Sequence, residues 1–66
     1  MTIGEKLKML RGKTPQNIAA AGIGITKSAL SMYEQGKRIP SDQAKVKIAR
    51  YYGETVGALF FNEIDH

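Results

Sequence analysis

Apolar residues recur along the chain at intervals of three and four, which is the spacing of one face of an α-helix. Ile3, Leu7 and Leu10 follow this spacing near the start, with Lys6 and Lys8 between them. No segment alternates between apolar and polar residues in the way a half-buried β-strand does. The pattern therefore predicts a chain built only from helices.

Capping residues and glycines divide the pattern into five predicted helices. Helices favour Thr or Ser at the position before their first turn and glycine after their last turn. The predicted caps are Thr2 (in a capping box with Glu5), Thr14, Thr26 and Ser41, and the predicted terminators are Gly12, Gly36 and Gly53. The resulting helices cover about residues 3–11, 15–21, 26–35, 41–52 and 55–61.

The apolar stripes of the later helices predict which sides are buried. The third helix should bury Ala29, Leu30 and Tyr33. The fourth should be covered on more than one side because it has two apolar rows, which are Ala44, Ile48 and Tyr51, and Val46, Ala49 and Tyr52. Leu59 and Phe60 of the last helix are assigned to the core. A contact between two copies of the chain is assigned to Tyr52, Phe61 and Ile64.

Length and composition narrow the possibilities. The 66 residues suffice for one domain, and a fold of this size is marginally stable unless its helices pack well or it self-associates. With no cysteine and one histidine, at the last position, no disulfide or metal site is predicted. Without a membrane-spanning apolar run or a signal-peptide pattern, a cytoplasmic location is expected. The net charge of +4 is compatible with a polyanionic partner, although many small proteins are basic.

Two interpretations are open for GIGITKS at residues 22–28. Glycines before Lys-Ser resemble a phosphate-binding loop, but such a loop has the form GxxxxGK[ST] and follows a strand of a parallel sheet. Here Thr26 precedes Lys27, the segment before the glycines is AAA, and the chain is too short for such a sheet. Glycine also suits a tight corner between two helices, because it accepts a positive φ. We interpret the segment as that corner.

The segment QNIAAAGIGITKSALSMYEQGKRIP, residues 16–40, resembles the helix-turn-helix of the phage repressor, Cro and XRE family of transcription regulators. The first matching features are Gln16 at the start of the second helix and the pair Ala20 and Gly24, which are four residues apart. The TKSxLS and YExG patterns and the basic loop ending at Pro40 also match. The resemblance implies an all-α, compact five-helix, lambda-repressor-like fold. It implies one domain over residues 1–62, a helix-turn-helix at about 15–35 and a polar tail at 63–66.

The chain departs from the family pattern inside the motif. The link between the first two helices is short, and Gly22 adds a second glycine to the corner. Ala19 stands where a larger aliphatic residue is usual. Ile18 or Ile23 is expected to fill the space that Ala19 leaves.

The resemblance assigns DNA contacts to the third helix and its surroundings. The base-reading positions are Lys27, Ser28 and Met32, with Ser31 and Thr26 beside them. The phosphate contacts are assigned to Gln16, Asn17, Lys37 and Arg38. None of the base-reading side chains forms the two-pronged contact that Arg, Asn or Gln makes with a base, so modest specificity per half-site is expected. Glu34 is assigned a structural ion pair with Arg11 of the first helix.

These residues also have simpler explanations. A lysine on a protein surface is usually only solvated, Gln16 could be an ordinary first-turn residue, and Met32 could fill a gap in the core. The combined spacings, more than any one residue, favour DNA binding.

The implied function is a sequence-specific DNA-binding transcriptional regulator, most simply a stand-alone repressor or Cro-like switch of a phage or mobile element. Such proteins bind double-stranded DNA as homodimers on inverted repeats. The alternative is an antitoxin or adaptor that uses the same fold to bind a protein partner. An enzyme is disfavoured because no cysteine, internal histidine or paired carboxylates are available, and no cofactor is predicted.

Overall fold

The computed structural model describes residues 1–61, which form five helical segments and no strand. Four segments are α-helices: α1 (Ile3–Arg11), α2 (Gln16–Ile23), α3 (Lys27–Gln35) and α4 (Asp42–Tyr52). The fifth, α5 (Gly57–Phe61), is a short π-helical segment. The predicted all-α, five-helix architecture is confirmed.

Local capping interactions set most of the helix ends. Thr2 and Glu5 form the predicted capping box: the Thr2 N–H donates to Glu5 Oε1 at 2.9 Å, and the Glu5 N–H donates to Thr2 Oγ1 at 3.1 Å. The hydroxyls of Thr26 and Ser41 accept N–H groups in the first turns of α3 and α4. Gly36 ends α3 with a φ of +75°, a conformation that strains residues with a Cβ. Interactions between residues close in the sequence, and the backbone conformation of glycine, therefore define these helix ends.

The boundaries of α2 differ from the prediction at both ends. Thr14 does not cap the helix, which begins two residues later with Pro15 at the cap position and no side-chain hydrogen bond there. The Thr14 carbonyl instead accepts a hydrogen bond from Arg11 Nη1 at 2.9 Å. At the other end, Gly22 stays helical and Gly24, with a φ of +95°, forms the left-handed end. The helix is therefore two residues longer at its carboxyl end than predicted.

One hydrophobic core lies between the helices. Its largest fully buried side chains are Leu7, Leu30, Ile48 and Leu59. Helix α3 packs against α1 and α2, α2 also packs against α4, and α5 packs against α1. This arrangement covers one side of α3 and leaves the other side open.

The contact between α1 and α3 is close because Gly4 has no side chain. Gly4 is buried, and a Cβ at this position would collide with the main-chain carbonyl of Glu34. Glycine at position 4 thus allows the first turn of α1 to approach the end of α3.

Within residues 1–61, helix α4 is covered on one side, so the prediction that it is covered on more than one side is wrong. Ala44, Ile48 and Ala49 are buried, whereas Val46 is 45% exposed and Tyr51 is 39% exposed. The physical reason is that the short helices of residues 1–61 surround a single core, which reaches only one face of α4.

Ile23 fills the space that a larger residue at position 19 would occupy. Ala19 is fully buried, Ile23 is 6% exposed and belongs to the core, and Ile18 is 55% exposed. Of the two predicted isoleucines, Ile23 takes the buried role because it lies one helical turn beyond Ala19 on the same side of α2.

The assignment of Leu59 and Phe60 to the core is confirmed, since they are 2% and 4% exposed. Lys6 Nζ donates to the carbonyls of Ala58 at 3.2 Å and Leu59 at 3.3 Å, which fastens α5 to α1. Of the three residues assigned to a dimer contact, Phe61 is 44% exposed, Tyr52 is partly buried, and Ile64 lies outside the described residues. The dimer contact therefore stays a prediction.

Candidate nucleic-acid interface

The turn between α2 and α3 consists of Gly24, Ile25 and Thr26, and it fixes how the two helices meet. The N–H groups of Gly24 and Ile25 both donate to the Ala20 carbonyl, at 2.9 and 3.0 Å. The Ile25 side chain packs against the core. This short turn is held by its own hydrogen bonds and presents the amino end of α3 at the protein surface.

Helix α3 has a buried side and an open side. Leu30 and Tyr33 are buried as predicted, with exposures of 0% and 7%. On the open side, Lys27 and Ser28 are exposed and Met32 is 42% exposed. Met32 is therefore a surface residue and not a filler of the core.

The open side of α3 forms a concave surface together with the start of α2 and the loop after α3. We call it the α3 surface, and its lining side chains are Gln16, Lys27, Ser28, Ser31, Met32, Gln35 and Lys37. All except Gln35 had been predicted as site residues. The structure thus brings together residues that are up to 21 positions apart in the chain.

Three other predicted site residues do not line the α3 surface. The Thr26 hydroxyl accepts the Ala29 N–H at 3.0 Å and so serves as the cap of α3. Asn17 is exposed beside Gln16 at the start of α2. Arg38 lines a separate depression with Ile39 and Pro40, next to the first turn of α1.

A buried carboxylate joins α1, α2 and α3 behind this surface. Glu34 is 4% exposed, and its carboxylate accepts three hydrogen bonds. Arg11 donates from Nε at 2.8 Å and from Nη2 at 3.0 Å, and Gln16 Nε2 donates at 2.9 Å. The hydrogen bonds to Glu34 raise the pKa of Arg11 above that of a free arginine. The predicted pairing of Glu34 with Arg11 is present in the structure, and Gln16 is an additional partner.

The contact with Glu34 orients the side chain of Gln16. A glutamine amide has two N–H donors and one oxygen acceptor. Because one N–H is bonded to Glu34, one N–H and the oxygen remain for another partner at the start of α2. The main-chain N–H groups of a helix amino terminus are also free in this region and favour anions. The arrangement is suited to a phosphate oxygen.

Gln35 is the lining residue that the sequence did not identify. Its Nε2 donates to Ser31 Oγ at 2.7 Å, across one turn of α3. The spacing in the sequence indicates this position, because Gln35 is four residues from Ser31 and eight from Lys27, which places all three on one face of a helix.

The α3 surface combines positive charge with varied hydrogen-bonding groups. Its charged lining residues are Lys27 and Lys37, and the carboxylate of Glu34 is buried and paired. Within residues 1–61 there is no group of three acidic or histidine side chains that could hold a metal ion. The same range contains no helix with the length and hydrophobicity of a membrane-spanning segment. The surface therefore offers hydrogen-bond donors and acceptors and an apolar thioether beside two positive charges. This combination suits a nucleic acid, which has negative phosphates and base edges with hydrogen-bonding and apolar groups.

One known protein family matches most of the chain. A family model described as helix-turn-helix matches residues 6–59, which include most of α1, all of α2, α3 and α4, and the first part of α5. No curated protein and no solved structure matches the chain. The family match covers most of the chain and includes every lining residue of the α3 surface.

Proposed function

The chain belongs to the Cro/C1-type (XRE) family of helix-turn-helix DNA-binding transcriptional regulators, and we propose that it is a stand-alone repressor or Cro-like switch of a phage or mobile element. In this proposal α3 lies in the major groove of an operator. The observation that supports it most strongly is the α3 surface, where the exposed residues of one helix adjoin the amino end of another.

The base-reading roles follow from the chemistry of the exposed side chains. The amino end of a recognition helix makes most of the base contacts in helix-turn-helix complexes. Lys27 can donate to O6 and N7 of guanine, Ser28 can donate or accept, and Met32 can contact a thymine methyl group. Ser31 lies on the same surface, and Thr26 supports the group as the cap of α3.

The phosphate-binding roles are assigned to residues at the start of α2 and in the loop after α3. Gln16 has an N–H left for a phosphate oxygen, and Asn17 lies next to it at the start of α2. Lys37 and Arg38 follow the glycine that ends α3 and can neutralise phosphates on the other side. Contacts of this kind fix the position of the protein on the duplex but carry little sequence information.

The operator in this proposal is an inverted repeat bound by a homodimer. Helix-turn-helix dimers recognise half-sites about one helical turn apart, roughly 34 Å. Exposed Phe61 and partly buried Tyr52 lie near the carboxyl end of the described chain and are the proposed dimer residues there, with Ile64 of the tail.

Selection from a random duplex library at two salt concentrations tests the proposal. The expected result is an enriched inverted repeat with half-site centres one helical turn apart. If no sequence is enriched and binding disappears as the salt concentration rises, the proposal is contradicted, because such binding is nonspecific attraction to phosphate. The antitoxin or adaptor function would then become the leading proposal.

Alanine variants of four basic residues separate base reading from phosphate contact. We expect Lys27→Ala to change the selected base at one position of the half-site. Lys37→Ala and Arg38→Ala should weaken all duplexes alike and reduce the slope of log K against log salt by about one for each phosphate contact. Lys47→Ala removes an exposed lysine of α4 away from the α3 surface and is the control. A uniform loss for Lys27→Ala would refute its assignment to base reading.

A further inference from the structure

Ser31 and Gln35 form a linked pair on the α3 surface. Gln35 Nε2 donates to Ser31 Oγ at 2.7 Å, and both side chains line the concave surface. Gln35 is exposed and Ser31 is half-buried. The two residues are separated by one helical turn, about 5.4 Å along the axis.

The hydrogen bond determines where the Gln35 amide lies. Helical side chains lean toward the amino terminus of their helix, and the bond to Ser31 holds the amide over the preceding turn. That is the direction of the end of α3 that enters the groove in the proposed function. A side chain anchored near the carboxyl end of α3 can therefore reach toward the base-contacting region.

The groups that remain free on Gln35 match one base. With one N–H bonded to Ser31, the amide keeps a second N–H and the Oε1 acceptor. Adenine presents the complementary pair in the major groove, an acceptor at N7 and a donor at N6. The other readers proposed on α3 are lysine, serine and methionine, which cannot form this two-pronged contact, and the Gln16 amide is bonded to Glu34 at the edge.

We infer that Gln35 is a specificity-determining residue that reads an adenine in each half-site, and that Ser31 is its positioning residue. The inference rests on the proposed function and adds to it a preferred base. Because Ser31 restricts the rotation of the Gln35 side chain before DNA binds, less side-chain freedom is lost in the complex. Ser31 keeps its own hydroxyl proton, which can donate to a neighbouring base edge.

The test compares sequences selected by the wild type with those selected by four variants. In the wild type we expect one adenine in the half-site that Gln35→Ala no longer selects, with every other position unchanged. The ratio of affinities for adenine over the other bases should fall roughly tenfold or more at that position. Ser31→Ala should weaken the same preference partially. Gln43→Ala, which removes an exposed glutamine of α4, should change nothing.

A fourth variant provides a gain of preference that a purely structural role would not produce. Gln35→Glu replaces the amide with an acceptor-only group, and glutamate pairs with the N4 donor of cytosine. We expect selection at the same position to move from adenine to cytosine. Helical circular dichroism and thermal melting of the Gln35 and Gln43 variants should match the wild type, since both residues are exposed.

The outcomes distinguish this inference from the proposed function. If the wild type enriches no sequence, the proposed function itself fails. If the wild type enriches an operator and Gln35→Ala loses affinity equally for all duplexes, Gln35 contacts phosphate and the inference is overturned. Unchanged selection by Gln35→Ala also overturns it, while the proposed function stands.

Discussion

Replacing Arg11 with methionine removes the cation that pairs with the buried Glu34. The Glu34 side chain is 1% exposed and the Arg11 side chain is 21% exposed, so the carboxylate has little access to water. In the Arg11→Met variant the Gln16 amide is the one remaining hydrogen-bond donor to Glu34 among the three that the structure shows. Methionine preserves most of the apolar stem, which limits the change to the lost charge and hydrogen bonds.

The expected loss is large compared with the stability of the domain. Removing one partner of a buried ion pair costs about 3–5 kcal/mol, because the other charge is left without compensation. Partial exposure of Arg11 favours the lower end, about 3 kcal/mol. At roughly 0.05–0.15 kcal/mol per residue, a chain of 66 residues has a total stability of roughly 3–10 kcal/mol. We expect Arg11→Met to be partly unfolded at room temperature or to melt far below the wild type.

Two further variants and one control separate the effect of the charge from that of the packing. Glu34→Gln removes the buried anion and leaves Arg11 with access to water, so its cost should be smaller, about 1–2 kcal/mol. The double variant Arg11→Met, Glu34→Gln leaves no uncompensated charge and should be about 1–2 kcal/mol more stable than Arg11→Met alone. Lys47→Met removes an exposed positive charge and should change stability by less than about 0.5 kcal/mol.

Urea unfolding followed by circular dichroism at the helical band measures all four free energies. The reasoning predicts the order Lys47→Met, Glu34→Gln, double variant, Arg11→Met from most to least stable, with the middle two close together. It would be refuted if Arg11→Met lost less than about 1 kcal/mol, or if adding Glu34→Gln made that variant less stable.

Two other predictions concern stability. Gly4→Ala should destabilise the domain by about 1–3 kcal/mol, because its Cβ meets the rigid main-chain carbonyl of Glu34. The matched control Gly22→Ala should cost less, since its Cβ meets the ring of exposed Tyr51, which can rotate away. Thermal melting measures both changes in stability. Tyr52→Phe should raise stability by about 1 kcal/mol, because the buried Tyr52 hydroxyl has no hydrogen-bond partner among residues 1–61. Burial raises the pKa of Tyr52, so the neutral form stabilises the folded state below the unfolded pKa of about 10 and this contribution is lost as the pH rises further. The advantage of Tyr52→Phe in urea unfolding should therefore grow between pH 9 and pH 11, and a constant difference would contradict this explanation.

The features that the sequence predicted well depend on neighbouring residues. The capping box of Thr2 and Glu5 and the helix start at Thr26 involve groups only three residues apart, so composition and spacing suffice to identify them. The ion pair between Arg11 and Glu34 spans 23 positions and came from the family resemblance. Local physics alone would not have paired them.

The incorrect predictions depend on contacts between distant elements. The sequence could not determine whether Gly22 or Gly24 ends α2, because either glycine can adopt the positive φ of a helix end. Gly22 instead lies where α2 passes the ring of Tyr51 from α4, which a Cβ would meet. The exposure of Val46 likewise follows from how few helices surround the core. Residue spacing places Gln35 on the same helix face as Ser31, but it permits the hydrogen bond between the two side chains without requiring it.

The ratio of affinities for the selected operator and for a scrambled duplex of the same composition tests the central claim most directly. Fluorescence anisotropy at physiological salt measures both dissociation constants with the unmodified protein. If α3 reads bases in the major groove, the operator should bind at least about 1,000-fold more tightly than the scrambled duplex, and Lys27→Ala should reduce that ratio. A ratio near one, with both affinities falling in parallel as salt increases, would show that the protein recognises phosphate charge alone and would contradict the account.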